Sequence, residues 1–366
     1  MTVRLRPEVA SLATYKAGRP APSGPGPVAY KLSSNENPFP PLPGVLERVA
    51  QASAAMNRYP DIANTAMTEA VAARLGLGTD RLAFGTGSVA VLYHLLQAVC
   101  GAGEEVVHAW RSFEAYPIAV QLTGARGVPV PLGPGAVHDL DAIRAAVGPA
   151  TRAVLLCSPN NPTGPALAHD DVAAFVASVP DDVLVVVDEA YVEFVSRPDG
   201  VRGLDLAAVH DNVVVLRTFS KAYGLAGFRV GYCVGDPEIA RGVRSASLPF
   251  GVSLPAQAAA VASLEAEVEL LARVRELVAR RDALVAGLRA AGLDVPDAQG
   301  NFVWLPAGPA TAEVTRVFGD AGLVVRAYAG GGPGAGGGPG DGVRITVGEP
   351  EANVRVIEVA ARLPRG

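Results

Sequence analysis

Lysine is scarce in this chain of 366 residues. Of the 31 basic residues only three are lysines, Lys16, Lys31 and Lys221, so the other 28 are arginines. Because arginine stays protonated in proteins, chemistry that needs a neutral amine cannot use it. Any Schiff base formed by a side chain of this protein must therefore involve one of these three lysines.

Cysteines and long apolar runs are also rare in this sequence. The three cysteines, Cys100, Cys157 and Cys233, lie far apart without the spacing of a metal site, and the five histidines are scattered. No run approaches the roughly 18 apolar residues of a membrane helix, and Glu8 interrupts the apolar stretch that a secretory signal would need. We expect a cytoplasmic protein without a metal, whose cysteines are small apolar core residues in a reducing compartment.

Charged residues are few, and the net charge is slightly negative. Charged residues make up 18% of the chain, the formal net charge is −5 and the sequence pI is about 5.6. No basic field is present that would favour binding to nucleic acid or to an anionic membrane. Hydrophobic residues make up 49% of the sequence, which at this length predicts a large core and two domains rather than one.

The middle of the chain has the pattern of an α/β fold. Short β-branched runs occur at AVLLC (153–157), VLVVVDEAY (183–191), NVVVLRTFS (212–220) and FRVGYCVG (228–235). The first three are continuous apolar runs, as expected of strands buried on both faces of a parallel sheet. Helical spacing lies between them, for example in DDVAAFVASV (170–179). The pattern predicts an α/β domain with a mainly parallel sheet.

The two ends of the chain differ from this middle part. The beginning is rich in Pro, Gly and Ser, and one long helical stretch at 254–291 precedes the short strands NFVWL, GLVVRAY and GVRITV. These features predict a smaller α+β domain joined to the first by a long helix. The Gly-rich tract at 330–340 predicts a flexible surface loop, with a lid over a site as the alternative. The predicted division is an N-terminal arm (1–40) that contributes to the small domain, a large domain (41–260) and a small C-terminal domain (261–366).

Polar side chains follow three neighbouring strands of the predicted sheet. Asn161 comes after AVLLC, Asp188 and Tyr191 come after VLVVV, and Lys221 comes after VVVL. Ligands of open α/β sheets bind outside the carboxyl ends of the strands. An amide, an acid, a phenol and a lysine are therefore expected at one edge of the sheet.

The motifs SPNNPTG, DEAY and TFSKAYGLAGFRVGY, in this order, resemble those of the fold-type I pyridoxal-phosphate aminotransferases. Within that family the chain is most similar to the histidinol-phosphate and aromatic branch, in particular its actinobacterial aromatic members, from SSNENP (33–38) to VRITV (343–347). The resemblance implies pyridoxal 5'-phosphate as cofactor, amino acids and 2-oxo acids as substrates, and a homodimer with a shared active site.

Four residues carry the chemistry that this resemblance implies. Lys221 corresponds to the Schiff-base lysine, which must be neutral to attack an aldehyde and stands near Arg229. Asp188 corresponds to the carboxylate that holds the pyridine nitrogen protonated. Asn161 and Tyr191 correspond to the pair that hydrogen-bonds the 3-oxygen of the ring, although Asn161 alone is typical of a turn.

The resemblance also implies a phosphate site and a ring-stacking residue. Helix N-termini and charge-assisted donors bind phosphate, and the residues expected here are Gly87, Ser88 and Val89 of FGTGS-V together with Thr218, Ser220 and Arg229. Val89 stands where relatives commonly have an acidic residue. Tyr59 corresponds to a tyrosine that reaches the phosphate of the neighbouring subunit, and Phe113 to the ring that stacks on the cofactor. For both, an ordinary core aromatic residue is the alternative, and Arg111 stands where relatives often have proline.

Substrate recognition is expected to involve an arginine clamp. Arg344 resembles the family's ligand of the substrate carboxylate, and Asn35 is expected across the site from it. Tyr15, Arg19 and Arg326 are candidates for recognition of the substrate side chain.

Several functions remain open at this point. We favour transamination of phenylalanine, tyrosine or tryptophan with 2-oxoglutarate, and the alternative is histidinol phosphate. Decarboxylation on the same cofactor is a third candidate, against which Arg344 argues because a clamped carboxylate is held rather than released. A nucleotide-binding module built around FGTGS would leave Lys221, Asp188 and Asn161 unexplained.

Overall fold

The computed structural model describes residues 3–15, 18, 20, 28–330 and 340–363. Lys16, Arg19 and positions 331–339 of the Gly-rich tract lie outside the described residues. The strands of the described residues are, in chain order, β1 (Tyr30–Lys31), β2 (Leu82–Thr86), β3 (Glu105–Trp110), β4 (Arg126–Pro131), β5 (Thr151–Cys157), β6 (Leu184–Asp188), β7 (Val213–Thr218), β8 (Val230–Val234), β9 (Phe302–Leu305), β10 (Leu323–Val324), β11 (Arg326–Tyr328) and β12 (Gly342–Thr346). The α-helices are α1 (Pro7–Ala10), α2 (Pro43–Ser53), α3 (Thr65–Leu75), α4 (Ser88–Val99), α5 (Ala115–Thr123), α6 (Leu140–Ala146), α7 (His169–Ser178), α8 (Gly203–Val209), α9 (Pro237–Ala246), α10 (Leu254–Glu265), α11 (Glu267–Ala290), α12 (Thr311–Asp320) and α13 (Pro350–Ala360).

The large sheet has seven strands in the order β2-β8-β7-β6-β5-β3-β4. All neighbours from β7 to β4 pair in parallel, whereas β8 is antiparallel to both β7 and β2. The central strand β6 is buried along its whole length and β7 is buried at every residue except Arg217, as their apolar runs predicted. The expected α/β fold with a mainly parallel sheet is confirmed. Since β5, β6 and β7 are neighbours, their carboxyl ends lie side by side.

A second hydrophobic core forms around the small antiparallel sheet β11-β12-β9. It contains Phe302 and Val343 from this sheet, Val356 from α13, and Leu32 from the N-terminal segment. β1 of the N-terminal segment pairs in parallel with β10 of the C-terminal part, so hydrogen bonds as well as this core connect the two ends of the chain. The predicted domain boundaries at residues 40 and 260 stay predictions.

The prediction of a single long helix at residues 254–291 is wrong. The stretch forms two helices, α10 and α11, which are separated at Ala266 (φ −98°, ψ 17°). Buried residues of α10, such as Ala256 and Ala259, belong to the core of the large sheet, whereas Leu277 and Leu284 of α11 belong to the second core. α10 packs in the core of the large sheet, whereas α11 packs in the second core from Val274 onward.

Within the described ranges no helix is both long enough and apolar enough to cross a membrane. Cys157 and Cys233 are buried, Cys100 is partly buried, and all three are free thiols. Burial of Cys157 and Cys233 agrees with their predicted place in the core. The cytoplasmic location stays a prediction.

Candidate active site

A cavity of about 320 Å³ opens at the carboxyl ends of β5, β6 and β7. The small sheet and the segment around Ser33 and Ser34 contribute to its wall. It brings together most of the residues that the sequence singled out: Tyr15, Ser88, Val89, Phe113, Asn161, Asp188, Tyr191, Thr218, Ser220, Lys221, Arg229, Arg326 and Arg344.

Lys221 lies three residues beyond the end of β7, and its amine points to backbone carbonyls. The Nζ atom donates to the oxygen of Ser34 at 3.1 Å and to that of Asn35 at 3.3 Å. Burial of the amine, reinforced by the positive charges of Arg344 and Arg229, lowers the pKa of Lys221 to about 7, although Glu36 acts in the opposite direction. A lowered pKa favours the uncharged amine at neutral pH. Lys221 therefore meets the requirement for a nucleophilic amine.

Asp188 is the last residue of β6 and is buried. Its Oδ2 atom accepts a hydrogen bond from the Tyr116 hydroxyl at 2.8 Å, and its Oδ1 atom accepts one from the N–H of Ala190 at 3.2 Å. Burial raises the pKa of this carboxyl to about 6 despite the two donors. Among the described residues Asp188 forms no salt bridge, so a cationic group in the cavity would stabilise its charged form.

Arg344 lies on β12 and faces the cavity from the small sheet. Its Nη1 atom donates to Oδ1 of Asn161, and its Nη2 atom donates to the oxygen of Ser33 at 2.7 Å. In the described part of the chain its Nε atom is buried without a hydrogen-bond partner. A buried guanidinium with a donor to spare fits a carboxylate ligand.

An anion cradle forms where α4 begins. Gly87 precedes the first residue of α4 with φ 85°, and a Cβ atom added there would lie 2.5 Å from Nη2 of Arg229. Only glycine leaves room for the guanidinium beside the N-terminus of this helix. The Nη1 atom of Arg229 also donates to Oγ of Ser220 at 3.4 Å. Backbone N–H groups, a hydroxyl and a guanidinium at one helix N-terminus fit a phosphate group.

Asn35 does not lie across the site from Arg344, so that prediction is wrong. Its backbone N–H donates to Oγ1 of Thr346 at 2.9 Å, two residues from Arg344 on the same strand. Its Nδ2 atom donates to the hydroxyl of Tyr191 at 2.9 Å. Asn35 is held next to the clamp because the N-terminal segment packs on β12.

Two aromatic residues of the site were missed by the sequence reasoning. Tyr116 donates to Asp188, and its ring packs edge-to-face on Phe113 with 5.6 Å between centroids. Tyr328 lines the cavity two residues after Arg326 on β11. The alternation of side chains along a strand would have predicted a shared face for Arg326 and Tyr328.

These features define a class of enzyme. A lysine with a lowered pKa, a buried carboxylate that pairs with no cation of the described residues, and a phosphate cradle meet at one sheet edge. Each fits one part of pyridoxal 5'-phosphate: the aldehyde, the pyridine nitrogen and the phosphate.

Tyr59 lies outside this cavity. It is 82% exposed, so the alternative of a core tyrosine is wrong.

Comparison with known proteins gives the family. The family model of aminotransferase class I and II matches residues 28–359, and the chain belongs to this family. It is 51% identical to the aromatic amino acid aminotransferase of Streptomyces avermitilis over 98% of this chain and 97% of that protein. It is 45% identical to the aromatic amino acid aminotransferase of Mycobacterium bovis over 99% of both chains.

A solved structure agrees with this family. The histidinol-phosphate aminotransferase of Sinorhizobium meliloti, in complex with pyridoxal-5'-phosphate, superimposes with a TM-score of 0.85 at 28% identity, covering 99% of this chain and 96% of that one. The predicted fold type I is confirmed. The protein is an aminotransferase that uses pyridoxal 5'-phosphate and acts on amino acids and 2-oxo acids.

Proposed function

We propose that the chain transfers the amino group of phenylalanine, tyrosine or tryptophan to 2-oxoglutarate. The observation that carries this substrate choice is the aromatic wall at one end of the cavity. Tyr15 and Phe113 pack there edge-to-face with 6.5 Å between centroids, and Tyr328 lines the same cavity. Aromatic side chains gain from such a wall both by burial and by ring contacts. The names of relatives that are 45–51% identical over nearly the whole chain support the same choice.

Each residue of the site has a proposed part in holding the cofactor. Lys221 would bond its aldehyde, and Asp188 would keep the ring nitrogen protonated. Asn161 and Tyr191 would hydrogen-bond the 3-oxygen, and Phe113 would stack on the ring. The phosphate would be held by the N-terminus of α4 at Gly87, Ser88 and Val89, together with Thr218, Ser220 and Arg229. When bound, the cofactor supplies an electron sink for the substrate Cα.

Proton transfer is assigned to Lys221. With the cofactor bound, its neutral amine would accept the proton of the substrate Cα, and its protonated form would donate that proton again. A pKa near 7 suits a group that must both accept and donate a proton at neutral pH. Arg344 fixes the substrate carboxylate and so orients the Cα–H bond, and a carboxylate held in this way is not the leaving group of a decarboxylation. Asn35 positions Tyr191, while Tyr15 and Arg326 contact the substrate side chain.

We also propose that a second copy of the chain completes the site. The exposed ring of Tyr59 stacks on Phe250 with 4.6 Å between centroids. Further apolar side chains are exposed close to these two residues in the sequence: Met56 and Ile62 near Tyr59, and Leu248 near Phe250. The partner would cover this surface, and Tyr59 would reach the phosphate bound by the partner. Sedimentation equilibrium should give twice the chain mass of 37.5 kDa, and a mass of one chain would contradict the shared site.

Histidinol phosphate is the second candidate, because the chain is structurally similar to a histidinol-phosphate aminotransferase and Arg326 lines the cavity. Phenylalanine brings a carboxylate that fits the buried Nε donor of Arg344, whereas histidinol phosphate carries a larger phosphate ester on a longer arm in place of that carboxylate. We expect kcat/KM for phenylalanine, with 2-oxoglutarate as acceptor, to exceed that for histidinol phosphate by at least about tenfold, which is about 1.4 kcal/mol. A preference of the same size for histidinol phosphate would overturn the aromatic assignment and leave the cofactor site unaffected.

A further inference from the structure

Asn160 is a buried residue beside the active-site cavity that has no part in the proposed function so far. It is 1% exposed, and it does not line the cavity, whereas the next residue, Asn161, does. Its backbone closes the turn after β5, because its N–H donates to the oxygen of Pro165 and its oxygen accepts from the N–H of Gly164, both at 2.8 Å. The turn therefore does not need the side-chain amide of Asn160 to satisfy these backbone groups.

The side-chain amide of Asn160 holds the segment that follows β3. Its Oδ1 atom accepts a hydrogen bond from the hydroxyl of Ser112 at 2.7 Å, and its Nδ2 atom donates to the backbone oxygen of Arg111 at 3.0 Å. Nδ2 also donates to Oγ1 of Thr163 at 2.7 Å, and this hydroxyl donates in turn to the oxygen of Ala136 at 2.9 Å. A buried amide with partners for its oxygen and its nitrogen is held in one orientation.

This link connects two residues that are proposed to contact the cofactor ring. Phe113, the proposed stacking residue, directly follows Ser112 in the chain. Asn161, the proposed donor to the 3-oxygen, directly follows Asn160, and its Oδ1 atom accepts from Arg344, so its Nδ2 atom is the one that can donate to the cofactor. Contacts of this kind require placement to within about 0.5 Å. The distance between the two segments must therefore be fixed.

We propose that Asn160 is a positioning residue, which sets the spacing between Phe113 and Asn161 and thereby the placement of the cofactor ring. The inference rests on the proposed function to the extent that these two residues contact the cofactor. Asn160 acts through them, because its side chain bonds to Ser112 and Arg111 behind the wall of the cavity.

The main test is Asn160→Ala, with two measurements on the holoenzyme. Equilibrium dialysis should show a dissociation constant for pyridoxal 5'-phosphate that is at least about tenfold higher, since losing one hydrogen bond to a charged oxygen has an effect of about this size. The pKa of the visible absorption band should also rise, because a weaker donor to the 3-oxygen leaves more negative charge to hold a proton on the nitrogen of Lys221. An unchanged dissociation constant would overturn the proposal.

Asn353→Ala is the matched control, because Asn353 of α13 is also a buried asparagine that bonds to the backbone. Its Oδ1 atom accepts from the N–H of Gly348 at 3.1 Å, and its Nδ2 atom donates to the oxygen of Gly348 at 3.3 Å. Both variants should lower the Tm measured at saturating cofactor. Asn353→Ala should change the dissociation constant of the cofactor by less than about threefold. An equal rise in both variants would assign the effect to general loss of stability and overturn the proposal.

Ser112→Ala tests the same link from its other end and leaves Asn160 in place. It removes the hydroxyl that donates to Oδ1 and keeps the bond from Nδ2 to the oxygen of Arg111. The dissociation constant of the cofactor should rise by at least about threefold, as expected for one neutral hydrogen bond. A constant unchanged in Ser112→Ala would overturn the proposal, also where Asn160→Ala does not fold.

The role of Asn160 and the proposed contact of Asn161 can fail separately. In Asn161→Ala the pKa of the band should rise, and addition of Asn160→Ala should raise it no further, because Asn160 acts through its neighbour. A further rise would overturn the positioning role. An unchanged pKa in Asn161→Ala would instead refute the contact of Asn161 with the 3-oxygen, and the dissociation constants of Asn160→Ala and Ser112→Ala would still decide the role of Asn160. These measurements use no amino donor and so do not depend on the choice of substrate.

Discussion

Lys221→Ala is expected to bind no cofactor covalently and to lose turnover by about 10⁴-fold or more, at the upper end of what a positioned general base contributes. Neither arginine nor another described lysine can replace the amine, because Lys31 is engaged with Glu36 at 2.8 Å on the surface. The fold should persist, since among the described residues Nζ of Lys221 hydrogen-bonds to backbone carbonyls, those of Ser34 and Asn35, and otherwise lies over the ring of Tyr191. Steady-state rates and the visible absorption of the purified variant measure both effects.

The matched control for this variant is Lys31→Arg. It also removes one of the three lysines but keeps a cation beside Glu36. It should retain the cofactor absorption and full turnover. Retention of more than about a tenth of wild-type turnover by Lys221→Ala would assign the proton transfer to another group.

Asp188→Ala is expected to slow the removal of the Cα proton by about 10³-fold or more, the size of effect seen when a preorganised electrostatic partner is lost. Cofactor attachment should continue, because Lys221 and the phosphate cradle at Gly87 do not depend on this carboxylate. Single-turnover conversion of bound cofactor by phenylalanine, followed by absorbance, measures this step. A rate within about tenfold of the wild type, or about 1.4 kcal/mol, would mean that another residue holds the ring nitrogen.

Tyr116→Phe separates the role of the carboxylate from that of its surroundings. The variant removes the hydroxyl that donates to Asp188 and keeps the carboxylate itself. It should slow the same step by at most about a hundredfold, since one hydrogen bond to a charged group contributes about 1.5–3 kcal/mol and Ala190 still donates. In Asp188→Ala the hydroxyl of Tyr116 loses its acceptor, which costs about 1–3 kcal/mol of stability and is measured by thermal unfolding.

The cofactor side of the site could be predicted from the sequence because it is local to consecutive strands. β5, β6 and β7 follow each other both in the chain and in the sheet, so Asn161, Asp188 and Lys221 had to meet at one edge. Gly87 could also be predicted from the sequence, since a glycine before an amphipathic segment is typical of an anion-binding turn.

The substrate side depends on contacts between distant parts of the chain. Asn35 and Thr346 are separated by 311 positions, and no local pattern reveals that they touch. The same holds for the pairing of Arg326 with Glu114, which are 212 positions apart. Arg344 was identified through family resemblance, because composition alone does not distinguish one arginine among 28.

The division at Ala266 was missed for a related reason. Good helix formers occur on both sides of it, and neither glycine nor proline marks the break. The position of the break follows from the packing of α10 and α11 in two different cores, which is a tertiary property.

The most direct test of the cofactor site is to locate the covalent attachment. The holoenzyme is reduced with borohydride, digested, and mapped by mass spectrometry. The label is predicted on the peptide that contains Lys221, in the segment TFSKAYG. A label on Lys16 or Lys31 instead would contradict the assignment of Lys221, and with it the account of how this site works.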